Sequence, residues 1–405
     1  WRWRCGRERV LAGRGAMEYR FSPEEEAFRH EVRAFLRREL PPGYIGPATL
    51  GDEEDAALHR RMQRLLAQRG WLTIGWPREY GGQGASPILQ TIFTEEVAYH
   101  RSPGVDTAGV KMLGPTLMLW GSEEQKRAFL PPIARGEVNW CQGYSEPGSG
   151  SDLASLQTCA VADGDDFVIT GSKIWTSRAH RADWMFLLAR TNPEAPKHRG
   201  ITFFLVDMRT PGITIRPIIN MAGVHHFNQV FFDNVRVPKK QVVGEVDRGW
   251  YVAVTLLDFE RSGVEYPAQA RRYVEELAHY AREAHGGRMA RDPRWRARLA
   301  ELYLEARVGR VLAYRVAYLQ GQKQVPNKEA SLSKVFGTEL LQRVAQTGME
   351  MLGLYGLLDK GTPRAPLGGM ISRLWVCARS TTIGAGTSEV QRTIIATRGL
   401  GLPRG

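Results

Sequence analysis

Between residues 138 and 243 the apolar pattern changes period, and a chain built of helices alone cannot absorb that change. "DDFVITGSKIWTS", "ADWMFLLART", "GITFFLVDM", "GITIRPI" and "QVFFDNVRVP" are short, rich in β-branched and aromatic residues, and separated by Gly, Pro and Asp. They read as strands of a small antiparallel barrel or sandwich. On either side the period is helical. "SPEEEAFRHEVRAFLRREL" opens with Ser22 and Pro23 and places its acids early, as a helix start does. "EEDAALHRRMQRLLAQRG" ends in Gly70, and "SEEQKRAFLPPIARG" begins with Ser122 in a capping position and is expected to stop at Pro131-Pro132. Beyond Gly244, "RGWYVAVTLLDFERSGVEYPAQARRYVEELAHYAREA" reads as one long helix, or two with the break at Pro267. "RWRARLAELYLEARVGRVLAYRVAYLQ", "NKEASLSKVFGTELLQRVAQTGMEMLGLYG" and the tail "SEVQRTIIATRGL" supply three more. Their broad apolar faces suit a four-helix bundle that packs against another subunit.

The expected fold class is α+β, mainly helical. An N-terminal helical domain (17–135) precedes a central antiparallel β-domain (136–243) and a C-terminal four-helix bundle (244–405). Residues 1–16 hold five Arg and one Glu and precede Met17. They read as an upstream extension before a start at Met17. The rival is an organelle transit peptide, although the stretch lacks Ser and a clear amphipathic period. Removing its +4 from the net charge of +12 leaves +8, enough to steer an anionic ligand. No basic stripe with interleaved aromatics points to nucleic acid. No run of eighteen apolar residues suggests a membrane span. The four Cys are widely spaced and show no metal pattern, so buried free thiols in a reducing compartment are expected.

The stretch "WCQGYSEPGSGSDLASLQT", residues 140–158, carries the most chemistry. Its Gly-Ser-Gly-Ser run lets backbone N–H groups approach an anion, and Ser145, Ser149 and Ser151 add hydroxyls. It is no dinucleotide fingerprint: Gly148 and Gly150 lack the third glycine and the βαβ unit. On its own it reads equally as a plain turn. About twenty residues on, "GSKIWTS" sets Trp175 among small hydroxyl residues. Such a Trp can cover a flat aromatic cofactor, or simply pack in a core.

Together these stretches resemble the acyl-CoA dehydrogenase family, in which a T/S-E-P-x-x-G-S-D loop is followed by N/T-G-x-K-x-W-x-T/S in a central β-domain. The matching positions are Ser145-Glu146-Pro147, Gly150-Ser151-Asp152, Thr170-Gly171, Lys173, Trp175 and Ser177. "WPREYGGQGAS", "GSEEQK", "FFDNVRVP" and "GAGTSEVQR" extend the likeness from about Phe21 to the end. The resemblance implies non-covalent FAD, contacted by the loop 142–151 with Gln142, Tyr144, Ser145, Gly150 and Ser151, and by Trp175, Thr176 and Ser177. Ser145 would meet the isoalloxazine, and Ser151 the phosphates or the acyl-CoA. Thr387 and Glu389 match positions at the adenosine or pyrophosphate end. The family is usually a homotetramer that often shares FAD between subunits. Two departures bear on that sharing. "AREAHGGR" has no Arg in register with the usual R-x-x-F-G, and Glu350 replaces the usual Gln before a glycine turn. They resemble a bacterial branch in which some members are mixed assemblies of two chains. A cytoplasmic location is expected, with the mitochondrial matrix as the alternative.

Dehydrogenation of an acyl-CoA needs a base for the α-proton and donors for the enolate oxygen. In much of the family the base is the Glu of Y-E-G-T, but here "IGAGT" places Ala385 there. The isovaleryl- and long-chain enzymes carry Ala or Gly at that position and take the base from a Glu before an Arg early in the third domain. "LLDFERSGVE" supplies Glu260 and Arg261. On helical geometry, Asp258 and Glu265 lie about 160° and 140° around from Glu260 and do not share its face. The resemblance makes Glu260 the base and Arg261 a substrate or positioning group. It keeps the Ala385 backbone N–H as a thioester donor, and it allows a branched, long or bulky acyl group. Electron-transferring flavoprotein is the implied acceptor. The competing readings are a non-catalytic partner subunit and a flavin oxidase or monooxygenase of the same fold.

Overall fold

The computed structural model describes residues 20–46, 52–259 and 263–403. The expected extension 1–16, Met17, Cys5, Glu260 and Arg261 lie outside the described residues. The N-terminal part is helical: α1 (Pro23–Glu39), α2 (Asp52–Gln68), α3 (Pro87–Tyr99), α4 (Gly114–Trp120), entered through a π-helical stretch at Ala108–Leu113, and α5 (Glu123–Ala134). Ser22 with Glu25 and Ser122 with Gln125 form capping boxes, which satisfy the first free N–H groups of α1 and α5. α5 does not stop at its proline pair. A proline loses its own donor but keeps its carbonyl, and Pro131 and Pro132 accept from Arg135 and Glu137 at 3.0 Å each.

The middle is one sheet of eight strands: β1 (Trp140–Gly143), β2 (Cys159–Asp163), β3 (Asp166–Lys173), β4 (Trp184–Arg190), β5 (Ile201–Asp207), β6 (Ile213–Ile219), β7 (His225–Pro238) and β8 (Val242–Val243). Its order is β6-β7-β3-β2-β4-β5-β8, with β1 added on β4. Pairing is antiparallel except where β4 meets β1 and β2 in parallel. The run Met185 to Ala189 is fully buried, which explains its unbroken apolar sequence. Strand alternation splits it between two cores. Phe186 and Leu188 pack with the N-terminal helices, whereas Met185 and Leu187 pack inside the sheet domain with Phe204 and Val230.

The C-terminal part contains α6 (Gly249–Phe259), α7 (Glu265–Glu283), the single turn α8 (Arg288–Arg291), α9 (Pro293–Gly321), α10 (Asn327–Leu352), α11 (Met370–Thr381) and α12 (Ser388–Ile394). The first expected helix is therefore two, and Pro267 sits in the first turn of α7, where a missing N–H costs nothing. The four core helices are α7, α9, α10 and α11, which meet through Leu277, Leu302, Val344 and Ile371. The tail helix expected as the fourth member is α12, which packs on α10 instead. Close approach of α10 and α11 requires Gly348, where a Cβ would stand 2.8 Å from Ile371 Cγ2. Of the described cysteines only Cys141 is buried, Cys377 is half-buried and Cys159 is exposed, so the expectation of buried thiols holds for one.

A buried ionic cluster fastens the N-terminal helices to the bundle. Glu95 on α3 accepts from Arg29 Nη1 (2.7 Å) on α1, from Tyr314 Oη (2.6 Å) and from Arg310 on α9, while Glu96 accepts from Arg29 and Arg33. Burial opposes the Glu95 charge, but Arg310, Arg29 and Tyr314 outweigh it and hold the carboxyl down to about 2. A carboxylate depressed on folding stabilises the fold above its ordinary value of 4.5 and loses that contribution as pH falls toward 2. Glu95→Ala is expected to cost about 3–5 kcal/mol by leaving buried arginines unpaired. In thermal scans the gap between wild type and Glu95→Gln should shrink as pH falls through that window. A constant gap would assign the effect to packing alone.

Candidate active site

Glu146 organises the loop between β1 and β2. Its carboxylate accepts from the backbone N–H of Gln157 (2.6 Å) and Thr158 (2.9 Å) and from Lys173 Nζ (2.7 Å). Lys173, at the end of β3, is fully buried and also donates to the Tyr144 carbonyl at 3.1 Å. Ile174 N–H donates to the Ser145 carbonyl at 2.8 Å. The two motif stretches, far apart in sequence, are thereby locked into one unit. Burial drives the Lys173 ammonium down to about 8 against the pull of Glu146. Burial opposes the Glu146 charge too, but Lys173 and the two N–H groups keep it below its ordinary range.

Within this unit the expected contact residues have different fates. Tyr144 is a core residue: its ring packs edge-on against Phe186 and Phe203, and its carbonyl is spent on Lys173. Its ring forms a wall behind the loop. The Ser149 hydroxyl is also spent, donating to the Asp152 and Leu153 carbonyls, so it is no free donor. Gly150 and Ser151 are exposed, and Gln142 and Ser145 are half-buried. A groove of ≈ 560 Å³ runs beside the turn, lined by Glu146, Gly148, Ser149, Thr158, Ser172 and Phe231 among others.

Trp175 follows with a left-handed backbone (φ 61) and a side chain 56% exposed, held edge-on by Phe227. A bulky residue at positive φ is strained and persists only where its neighbours enforce it. Here Asn228 does so. Its backbone exchanges two hydrogen bonds with Thr176, and its side chain donates to the Thr176 carbonyl at 3.0 Å. The Thr176 hydroxyl is buried and has no partner among the described residues, while Ser177 is exposed. Arg178, also left-handed at φ 56, reaches to 3.4 Å from His59 Nδ1 on α2. Burial, reinforced by Arg178, holds His59 near 3 and His226 near 4, so both are neutral at neutral pH.

The second set of expected residues stands on the bundle. Ala385 is exposed in a turn at φ 53, and Gly386 follows at φ 83. Thr387 caps α12 by accepting from Val390 N–H, and Glu389 is exposed. The Ser388 hydroxyl is buried without a partner among the described residues, and it lines a second groove of ≈ 560 Å³ with Arg298, Arg343, Arg379, Thr387 and Glu389. No hydrogen bond between described residues joins this set to the Trp175 set. α6 ends at Phe259, and the chain is next described at Gly263, where a Cβ would stand 3.0 Å from Ser333 Oγ and 3.8 Å from the Lys334 nitrogen on α10.

Three family models match in order: acyl-CoA dehydrogenase N-terminal domain over residues 22–137, middle domain over 141–235 and C-terminal domain over 247–400. The chain belongs to the acyl-CoA dehydrogenase family. It is 39% identical to acyl-CoA dehydrogenase FadE26 of Mycobacterium tuberculosis, over 96% of this chain and 99% of that one. Among solved structures it is similar to a Tcur3481-Tcur3483 steroid ACAD (TM-score 0.88, 36% identity, 96% of this chain, 100% of that one). It is also similar to the ChsE4-ChsE5 complex from Mycobacterium tuberculosis (TM-score 0.86, 37% identity, 96% and 100%).

This acyl-CoA dehydrogenase is an oxidoreductase acting on acyl-CoA thioesters, with FAD as cofactor. The residues present fit a flavin. An exposed indole is fixed by strained backbone, and two buried hydroxyls, Thr176 and Ser388, lack partners among the described residues. No described helix is long and apolar enough to cross a membrane, and no described cluster of His, Cys, Asp and Glu has metal-binding form. Sequence reading missed Asn228, Lys334 and Gln391, whose roles are to brace backbone. No local motif announces a brace.

Lys173→Met is expected to leave Glu146 buried and unpaired. It should lower the flavin-to-protein absorbance ratio of the purified protein and its thermal midpoint. Glu146→Gln in the same chain should recover part of both, because the unpaired charge carries most of the cost. Undiminished flavin in Lys173→Met would show that the loop holds its shape without the pair.

Proposed function

We propose that the chain performs α,β-dehydrogenation of a bulky, polycyclic acyl-CoA, with Glu260 as the base. The observation that carries this is the convergence on α10. Gly263, three residues after Glu260, lies against Ser333 and the Lys334 backbone, and Lys334 Nζ donates to the Gly386 carbonyl at 2.7 Å, one residue beyond Ala385. Gly263 and the turn that carries Ala385 are therefore neighbours of the same stretch of helix. Glu260, three residues before Gly263 in the sequence, is proposed to take the α-proton that a Glu at 385 would take. The Ala385 backbone N–H makes no hydrogen bond to another described residue, and is the proposed donor to the thioester oxygen. Arg261 is proposed as a substrate-side cation, and Gln142, Ser145, Gly150, Ser151, Trp175, Ser177, Thr387 and Glu389 as the surface that holds FAD. When bound, FAD supplies the acceptor for the hydride leaving the β-carbon.

The bulky acyl class is supported by the solved relative described as a steroid ACAD. Completion of the site by a different chain is supported by relatives solved as two-protein assemblies and by the altered Arg and Gln positions. Electron-transferring flavoprotein is proposed as the acceptor, and a bacterial cytoplasm as the setting. The altered positions also favour a second reading, a partner subunit without turnover of its own. Purifying the chain alone and titrating FAD separates the two, since full occupancy with bleaching by substrate excludes the second.

Glu260→Gln should retain FAD and bind acyl-CoA while losing about 10²–10⁴-fold in kcat, the usual worth of a positioned general base. Stopped-flow bleaching of the flavin measures it, and near wild-type turnover would move the base elsewhere.

A further inference from the structure

The turn that carries Ala385 is held by two side chains from outside it. Lys334 Nζ donates to the Gly386 carbonyl at 2.7 Å, and Gln391 Nε2 donates to the Ala385 carbonyl at 3.2 Å. Two successive peptide planes are thereby fixed through their oxygens. The backbone they fix is an uncommon one. Ala385, an L-residue with a Cβ, sits at φ 53 and Gly386 at φ 83. The left-handed region strains a non-glycine residue, and such strain persists only where surrounding bonds over-determine it. At Gly386 a side chain would be strained by the positive φ, and its Cβ, 2.7 Å from Gln391 Nε2, would displace that brace. With both carbonyls engaged, the N–H groups of Ala385 and Gly386 donate to no other described residue.

The turn thus combines strained backbone, tethered oxygens and unspent N–H groups, which is the form of a preset donor site. We propose that Lys334 is a positioning residue for the oxyanion. Acting through the Gly386 carbonyl, with Gln391 as the second brace, it holds the Ala385 N–H on the thioester oxygen as charge develops there. This deepens the dehydrogenase reading and rests on it. It also gives α10 a part in the chemistry, because the same Lys334 backbone packs against Gly263 beyond the proposed base. Loss of the tether would leave the acyl-CoA bound but its enolate poorly stabilised. A misplacement of about 1 Å in such a site is worth roughly 10²-fold in rate.

The test compares FAD-loaded wild type, Lys334→Met, Lys334→Arg and Gln391→Leu. The probe is a 3-thia-acyl-CoA, which undergoes no dehydrogenation and whose α-anion gives a long-wavelength charge-transfer band with oxidised flavin. At fixed pH, Lys334→Met should lose most of that band and about 10²-fold in kcat, with KM little changed. Lys334→Arg should restore part of both, and Gln391→Leu should fall in between. Amide hydrogen exchange across residues 382–388 should quicken in Lys334→Met without faster exchange in α10. A wild-type band in Lys334→Met overturns the proposal, as does a loss of flavin, KM and stability together that Lys334→Arg fails to relieve. Wild-type protein that neither bleaches with acyl-CoA nor gives the band overturns the dehydrogenase reading itself, and this proposal with it.

Discussion

The buried pair of Lys173 and Glu146 is the interaction on which the β-domain side of the site depends. Lys173 is fully enclosed, and the Glu146 side chain is exposed by less than a tenth. Such a pair adds little net stability, because desolvation consumes most of the Coulombic gain. Its worth is geometric. One carboxylate fixes two backbone N–H groups at the far end of a loop, and one ammonium fixes a carbonyl at the near end. The loop from Tyr144 to Thr158 is thereby closed at both ends around a single salt bridge. The strand end that presents Trp175 is tied to it through Ile174. An apolar pair of equal volume would fill the space but orient nothing.

How much of this was legible in the sequence follows from where the information lies. Capping boxes are local, so Ser22 with Glu25 and Ser122 with Gln125 could be read directly. Strand-length apolar runs bounded by Gly, Pro and Asp gave the β-domain. The helix α11 escaped because it is short, follows two left-handed glycines, and its apolar residues Met370, Ile371, Leu374 and Ala378 are interleaved with Arg, Ser and Cys. The continuation of α5 past its prolines escaped because a local rule counts the lost donor and not the retained acceptor. Lys173 was visible as a motif letter, but its function as a fastener was not, since its partner lies 27 positions away. The Glu95 cluster left no trace at all. Two adjacent acids on a helix read as a solvated face until Arg29, 66 residues earlier, and Arg310, 215 residues later, arrive to bury them.

The site residues divide along the same line. Trp175, Thr176, Ser177, Ala385 and Thr387 could be placed from motifs because they repeat a family pattern. Tyr144 and Ser149 could not be judged that way. The Tyr144 ring is committed to packing and its carbonyl to Lys173, and the Ser149 hydroxyl is committed to the loop itself. Position in a motif assigns a backbone location, and only the neighbours decide which atoms remain free to meet a ligand.

The same distinction bears on Ala385. A carboxylate at that position would do two separable jobs, one through its side chain and one through its backbone N–H. Removing the side chain leaves the backbone job intact only if the turn keeps its shape without it. Lys334 and Gln391 brace that shape through main-chain oxygens, so it does not depend on what residue 385 carries. A turn braced from outside is free to lose its own functional group, provided a neighbouring segment can supply one. Gly263, packed on the same α10 that sends Lys334 to the turn, follows the proposed base Glu260 by three residues in the sequence. Gly263 and the Ala385 turn are therefore coupled through one helix. That helix belongs to a bundle which α9 joins to the N-terminal helices through Glu95. The β-domain set is rigid through its own salt bridge. What aligns the two sets is the packing of whole domains, which no motif records.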